Sequence, residues 1–402
     1  MSNYKWNLSS IRKNKKYVLE RLKCINLTDK EKEELEMSLV GYVCLLQTGV
    51  SKVVSNFKNA LQKVTNSKLK LTKEEKYEKL EYQLIQNKGD YVDDDYLQFL
   101  LDLAQNIADG NTEEITFTKM EIADKDLIDM SKQFYIELGD NDIKERALKT
   151  LDNPELLHIR ERQLGEFENY GGLTIYDHVF DEAYCSVARE NTIFDYQILN
   201  HEIMHSVDFH SKKKLPSETY YGFHEVPTYT IDYIFIDYLE KQGFDKEEVQ
   251  KLRVQKDDYL KSLANMTLLQ IKMDLMHSKG ISAYNDLSAE NVKEHISFQT
   301  MKQLLEVESG LIAYGFYKQI GIDKKRGIDN IKTFMESTIS LHERPDFSRY
   351  GFTDVDIMSL SKEFGSYSKR TNIVEYIEKP TEITINPEQT LYQNSDIPRI
   401  KR

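Results

Sequence analysis

The chain has 402 residues, and a hydrophobic content of 40% is enough to bury a large core in one big domain or in two lobes. Its formal net charge of -13 at pH 7 argues against a nucleic-acid-binding protein, because no basic face is available to neutralise phosphates. Only 17 glycines and 7 prolines are present, while Lys, Glu, Leu and Ile are plentiful, so we expect a mainly α-helical fold.

The cysteines and the N-terminus bear on the cellular compartment. The three cysteines are scattered and follow no metal-binding spacing, so we expect free thiols in a reducing compartment. Residues 1–6 lack the apolar core of a secretory signal. No segment reaches the roughly 18 apolar residues that a membrane span requires. A cytoplasmic protein that does not bind membranes is the simplest expectation.

The first quarter of the chain has a helical pattern. Between Asn7 and about Asp109 there is no proline, and apolar residues recur three and four positions apart, which predicts several antiparallel helices. A turn-rich sequence at 109–112 ends the pattern. We therefore predict an N-terminal helical lobe at 1–110, a second lobe at 111–379, and an irregular C-terminal tail at 380–402, where prolines stand among polar residues.

Two stretches with strand character interrupt the helical pattern further along. Leu173–Val179 follows a pair of glycines, and Ala183–Ala188 comes shortly after it. We expect them to form a small β-sheet directly ahead of the helix that contains Gln197.

The segment that begins at Gln197 carries the clearest chemical signal, the order His201-Glu202-Ile203-Met204-His205. Helical residues four apart lie one turn apart on the same face, so the two histidines can present nitrogens to one zinc ion. Glu202 would then accept a proton from a zinc-bound water as it attacks a carbonyl. The same pattern also arises by chance, and the chain would then be a helical structural protein without stoichiometric zinc.

Spacing narrows the choice of a third ligand. A histidine six residues after His205 would serve, but that position is Ser211. The other common solution is a glutamate from a following helix. Glu225 lies at the start of a predicted apolar helix that has Pro227 in its first turn. Asp232, two helical turns after Glu225, could accept the free N–H of a ligand histidine and fix its tautomer.

The region from Thr192 to Leu239 resembles the thimet oligopeptidase and oligoendopeptidase F family of zinc metallopeptidases. The matching pieces are the turn Asn191-Thr192-Ile193-Phe194-Asp195, the motif His201 to His205, the segment Glu225-Val226-Pro227-Thr228, and Asp232. The likeness continues to about Met358 and covers roughly the last 60% of the chain. It implies two helical lobes flanking a deep substrate channel, with the small β-sheet next to the zinc-binding helix.

The resemblance also implies roles for residues outside the motif. Tyrosines near the C-terminal end of family members donate to the oxyanion, and the nearest tyrosines here are Tyr314 and Tyr317. Peptidases of this type lay the substrate backbone along an edge strand ahead of the metal helix. By analogy, that edge would contain Tyr184, Ser186 and Ala188, and the alternative is that they belong to an ordinary buried strand.

Together these features predict a zinc metalloendopeptidase of the oligopeptidase type. It would bind one Zn²⁺ ion through His201, His205 and Glu225, and would cleave short peptides with Glu202 as the general base.

The alternative is a zinc-containing peptide-binding protein on a peptidase scaffold, with little or no turnover. It arises because the family glycine before the second histidine is Met204 here, a bulkier residue that could narrow the approach to the metal, and because the family histidine ahead of the tyrosines has no close match. A bacterial toxin protease with the same ligands is a further alternative. The sequence leaves the peptide preference and the oligomeric state open.

Overall fold

The computed structural model describes residues 5–24, 26–48, 93–108, 115–162, 171–212, 223–280, 286–337 and 346–368. The turn at 109–112 and the tail at 380–402 lie outside these residues. The division into lobes at residue 110 therefore stays a prediction. None of the helices in the described ranges is both long enough and apolar enough to cross a membrane.

Helices make up most of the described chain. They are α1 (Leu8–Arg21), α2 (Asp29–Thr48), α3 (Asp94–Ile107), α4 (Asp124–Leu138), α5 (Asn141–Leu151), α6 (Phe194–Lys212), α7 (Glu225–Lys241), α8 (Lys246–Lys279), α9 (Ala289–Val292), α10 (Phe298–Ile322), α11 (Lys324–Glu336), a 3-10 helix (Phe347–Tyr350) and α12 (Asp354–Ser368). The strands are β1 (Leu157–Glu161), β2 (Gly172–Asp177) and β3 (Glu182–Arg189). The prediction of a mainly α-helical fold with a small sheet next to the motif helix is confirmed.

The three strands form one sheet in the order β1-β3-β2. β1 runs parallel to β3, and β2 runs antiparallel to it. Ser186 is paired with His158 on one side and with Leu173 on the other. The prediction that Tyr184, Ser186 and Ala188 lie on an edge strand is therefore wrong, because both neighbouring strands already use the main-chain groups of β3.

Helices cover both faces of β2. Successive side chains of a strand point to opposite sides, so Thr174 faces α6 while Ile175 faces α2. A Cβ atom at Gly41 of α2 would lie 2.9 Å from Ile175 Cγ2, so glycine allows the close approach of helix and strand. α1 and α2 share a small core with the sheet, in which the Trp6 indole N–H donates to the Leu156 carbonyl at 3.2 Å.

The main core forms around α7, which packs against both α6 and α10. Nearly the whole length of α7 is buried, and its fully buried apolar residues include Val226, Phe235, Ile236 and Leu239. A helix that is apolar on all sides must be surrounded by other elements. Polar side chains on α7 are therefore held away from water, and each needs a partner.

A turn built on Asp195 sets the direction in which α6 leaves the sheet. The Asp195 carboxylate is buried and accepts backbone N–H groups from Glu190 at 2.8 Å and from Asn191 at 2.7 Å. Asn191 adopts a left-handed backbone conformation with φ of 59°. The carboxylate therefore fixes a tight turn between β3 and α6, and this turn places the motif helix.

Replacing Asp195 with alanine should lower the free energy of unfolding by about 2 kcal/mol, because buried N–H groups lose a charged acceptor. Chemical denaturation of the two proteins measures the difference. Asp129 on α4 is exposed, and its replacement by alanine should change stability by less than about 0.5 kcal/mol. Equal stability of the Asp195→Ala protein and the parent would contradict this account of the turn.

Candidate metal centre

His201 and His205 on α6 and Glu225 on α7 converge at one point. Glu225 Oε2 lies 3.5 Å from His201 Nε2 and 3.5 Å from His205 Nε2. The possible ligand atoms of the three residues all lie within 4.8 Å of one another. Within the described ranges, this is the one group of three His, Cys, Asp or Glu side chains close enough to hold a metal ion.

The start of α7 brings Glu225 to this point. The helix begins at Glu225, and Pro227 stands in its first turn, where a missing N–H costs nothing. The Thr228 hydroxyl donates to the Glu225 carbonyl at 2.9 Å and lies 3.1 Å from the carboxylate. The first turn therefore fixes both the backbone and the side chain of Glu225.

A buried ion pair supports His201 from the opposite side. Asp232 Oδ2 lies 3.1 Å from His201 Nδ1 and accepts a hydrogen bond from Lys256 Nζ at 2.8 Å. When the Nδ1–H donates to Asp232, Nε2 faces Glu225, where it could bind a metal after losing its own proton. Lys256 also lies 3.3 Å from the centre of the Tyr229 ring, a cation–π contact. Sequence reasoning missed Lys256, because nothing distinguishes it from the other lysines of the long amphipathic helix α8.

Strand β2 fixes the position of Glu202. The Thr174 hydroxyl lies 2.6 Å from Glu202 Oε2 and 2.9 Å from the Glu202 carbonyl. A Cβ atom at Gly172 would collide with the Glu202 carboxylate, so the absence of a side chain there leaves room for Glu202. Neither Thr174 nor Gly172 was singled out from the sequence. The available signal was the pair Gly171-Gly172 that begins the strand.

Neighbouring charges shift the pKa values of these groups in the metal-free chain. Burial opposes the charged form of His201, but Asp232 and Glu225 outweigh it and raise the pKa of His201 to about 10. Burial lowers the pKa of His205 to about 4. Burial would raise the pKa of Glu225, but the two histidines hold it well below its usual range. Burial also raises the pKa of Glu202 to about 7. Glu225 is therefore ionised at neutral pH, beside a His201 ring that is protonated on both nitrogens.

The surroundings of three other residues, Met204, Tyr314 and Tyr317, bear on the roles that the sequence predicts for them. Met204 is fully buried and belongs to the main core. The Tyr317 hydroxyl donates to Asp237 Oδ2 at 2.8 Å. The Tyr314 hydroxyl lies 3.4 Å from Glu363 Oε1. An oxyanion role for either tyrosine stays a prediction.

No protein-family model matches the chain, and no curated protein matches it. Several solved structures are similar. A Bacillus anthracis protein with the provisional name oligoendopeptidase F is 12% identical, with a TM-score of 0.47, over 92% of this chain and 71% of that one. PZ peptidase A, solved with an inhibitor, is 12% identical, with a TM-score of 0.45, over 86% of this chain and 66% of that one. A provisionally named peptidase from Chlamydophila abortus is 12% identical, with a TM-score of 0.47, over 86% of this chain and 62% of that one. At this identity the likeness concerns the course of the backbone alone.

Replacing Asp232 with asparagine should weaken zinc binding by roughly 10- to 100-fold, because the carboxylate accepts the Nδ1–H of His201 and so orients its ring. Competition with a chromophoric chelator measures the affinity. Asp237 on the same helix is paired with Arg253 instead, so Asp237→Asn is the matched control and should bind zinc normally. Circular dichroism would establish that both variants fold. Unchanged affinity in Asp232→Asn would overturn the role assigned to this carboxylate.

Zinc binding should release at least about one proton per ion at pH 8, because His201 must give up its second proton and a zinc-bound water can add a further one. The pKa of about 10 keeps His201 doubly protonated at that pH, while Glu202, with a pKa of about 7, is already ionised. Titration calorimetry in buffers of different ionisation enthalpy measures the release. It should diminish as the pH rises through 10, and a binding heat independent of the buffer would contradict the prediction.

Proposed function

We propose that this chain is a zinc-dependent metallopeptidase that hydrolyses peptide bonds in short peptides. The observation that carries the proposal is the convergence of His201, His205 and Glu225, with Glu202 on the same helix as the histidines. Two histidines and a glutamate are a donor set that suits zinc. The proposal agrees with the family resemblance of the sequence and does not depend on the distant structural neighbours.

The residues present fit one zinc ion. The carboxylate of Glu225 faces both histidines, and Asp232 holds His201 in the tautomer that a ligand needs. Three protein ligands are the number found in catalytic zinc sites, which keep a further position for water. A zinc ion bound there would supply a Lewis acid and lower the pKa of a bound water toward about 7.

Glu202 is the proposed general base. It would take the proton from the attacking water and return it to the leaving amine. Both transfers require a pKa near the working pH, and the buried carboxylate has a pKa of about 7 in the metal-free chain. The positive charge of a bound ion would lower this value and favour the proton-accepting form. Thr174 would keep the carboxylate oriented through its hydrogen bond.

Strand β2 is the proposed binding edge for the peptide backbone. Among the described strands it has a neighbour on one side only, and it carries the residues that contact Glu202. A peptide added as a further strand would pair with the main-chain groups of β2. This replaces the edge expected at Tyr184, Ser186 and Ala188, whose strand is central.

The compartment and the partners belong to the same proposal. Cys24 and Cys185 are free thiols, which favours a reducing compartment such as the cytoplasm. Short peptides are the proposed partners, with neither nucleic acid nor a membrane.

A peptide-binding protein with zinc but little turnover is the second candidate. It is favoured by the engagement of the Tyr317 hydroxyl with Asp237, because an occupied donor would have to change partner before it could stabilise an oxyanion. Both candidates require zinc and a peptide site. They differ in whether the wild-type protein cleaves a peptide in a chelator-sensitive manner.

Replacing Glu202 with glutamine should abolish cleavage of a quenched fluorescent peptide library, with a loss of at least about 100-fold. Zinc content should stay at one ion per chain, because Glu202 is not a ligand. Glu145 on α5 is exposed, and Glu145→Gln serves as the control with unchanged activity. Chelation of the wild type should stop cleavage, and added zinc should restore it. Stoichiometric zinc without any chelator-sensitive cleavage in the wild type would instead establish the binding protein.

A further inference from the structure

A carboxylate that the proposed mechanism does not use lies next to the metal centre. Glu306 Oε1 on α10 accepts hydrogen bonds from the Tyr229 hydroxyl at 2.8 Å and from the Tyr259 hydroxyl at 2.7 Å. Tyr229 stands one helical turn after Glu225, and its ring centre lies 5.8 Å from that of His201. We name Glu306, Tyr229 and Tyr259 the Glu306 cluster. It joins α7, α8 and α10 beside the metal ligands.

The negative charge of Glu306 has no cationic counterpart in the described part of the chain. Both donors are neutral hydroxyls, and no Lys, Arg or His of the described residues forms an ion pair with this carboxylate. Lys302, on the same helix, supplies only a weaker attraction. The nearby Lys256 is already bonded to Asp232. Burial and the charge of Glu225 raise the pKa of Glu306, as expected for a carboxylate whose charge is not offset.

Two other acids on these helices have cationic partners. Asp237 on α7 pairs with Arg253 at 2.6 Å, and Asp258 on α8 pairs with Lys261 at 3.0 Å. A partly buried carboxylate without such a partner lowers stability. A ligand that brings a positive charge would therefore bind favourably at Glu306.

The Glu306 cluster can be reached from solvent. The Tyr259 side chain is 42% exposed, and Glu306 itself is partly exposed. Aromatic ring faces attract cations, so the exposed ring of Tyr259 adds to the attraction of the carboxylate. The net charge of -13 also favours the approach of cationic peptides.

We propose that the Glu306 cluster is a subsite for a cationic nitrogen of the peptide substrate, either its α-ammonium group or a basic side chain. The inference rests on the proposed function, because it takes a peptide as the ligand. One tyrosine ring separates the Glu306 carboxylate from the ring of His201. That separation corresponds to no more than roughly three residues of an extended peptide, at ~3.3 Å each. The subsite thus selects peptides with a positive charge close to the cleaved bond.

Matched peptides test the inference and separate the two sources of the charge. One series is acetylated at the N-terminus and carries either lysine or norleucine at each position near the cleaved bond. The other contains no basic side chain and has either a free or an acetylated N-terminus. Wild-type protein should favour the cationic member of at least one pair by about tenfold in kcat/KM. The series in which this occurs identifies the nitrogen.

Glu306→Gln should reduce this preference for the cationic peptide to less than about twofold. Tyr259→Phe keeps the carboxylate and should keep the preference. Glu145→Gln removes an exposed charge elsewhere and should also keep it. Zinc content and thermal melting establish that each variant is loaded and folded. No preference in the wild type, or an unchanged preference in Glu306→Gln, would overturn the inference.

Binding without turnover separates this inference from the proposed function. In zinc-loaded Glu202→Gln protein, fluorescence anisotropy should show about tenfold tighter binding of the cationic peptide, and adding Glu306→Gln should remove the difference. If binding shows the preference but the wild type cleaves nothing, the subsite stands and the peptidase proposal fails. If the wild type cleaves peptides but binding is indifferent to their charge, the subsite fails and the peptidase proposal stands.

Discussion

The hydrogen bond between Asp232 and His201 is the interaction on which the centre depends. Asp232 belongs to a helix buried along almost its whole length, so its charge must be balanced inside the protein. His201 and Lys256 provide that balance from α6 and α8. One carboxylate therefore ties three helices together and at the same time orients the ring that faces Glu225. The buried charge of Asp232 therefore contributes both to the packing of the helices and to the geometry of the proposed metal site.

The sheet makes a separate contribution to the centre. β2 contacts Glu202 through Thr174 and Gly172, whereas the three possible metal ligands all come from helices. The possible ligands and the proposed base are thus held by different parts of the fold. The Glu306 cluster adds a third part, built from α7, α8 and α10 on the side of Tyr229. The centre lies between the helices that carry the possible ligands, strand β2 and the Glu306 cluster.

Periodicity and spacing account for much of what could be read from the sequence. Residues four apart on a helix must share a face, which placed His201 beside His205. The proline in the first turn of an apolar helix marked where Glu225 would stand. Contacts between residues far apart in the sequence could not be predicted in this way. Lys256 lies 24 positions from Asp232 in the sequence, and its burial appears only when α8 packs on α7. The order of the strands could not be predicted either, because the residue pattern of β3 would be the same for an edge strand and for a central strand.

The close packing of Gly41 against Ile175 gives the N-terminal helices an indirect influence on the proposed chemistry. Any side chain larger than hydrogen at Gly41 would push against the outer face of β2, whose inner face supports Glu202. The histidines and Glu225 have no contact with that strand among the interactions described above. Substitutions in α2 could therefore change the proposed proton transfer by Glu202 without changing the affinity of the possible ligands for a metal ion. The catalytic rate and the metal affinity could then evolve separately.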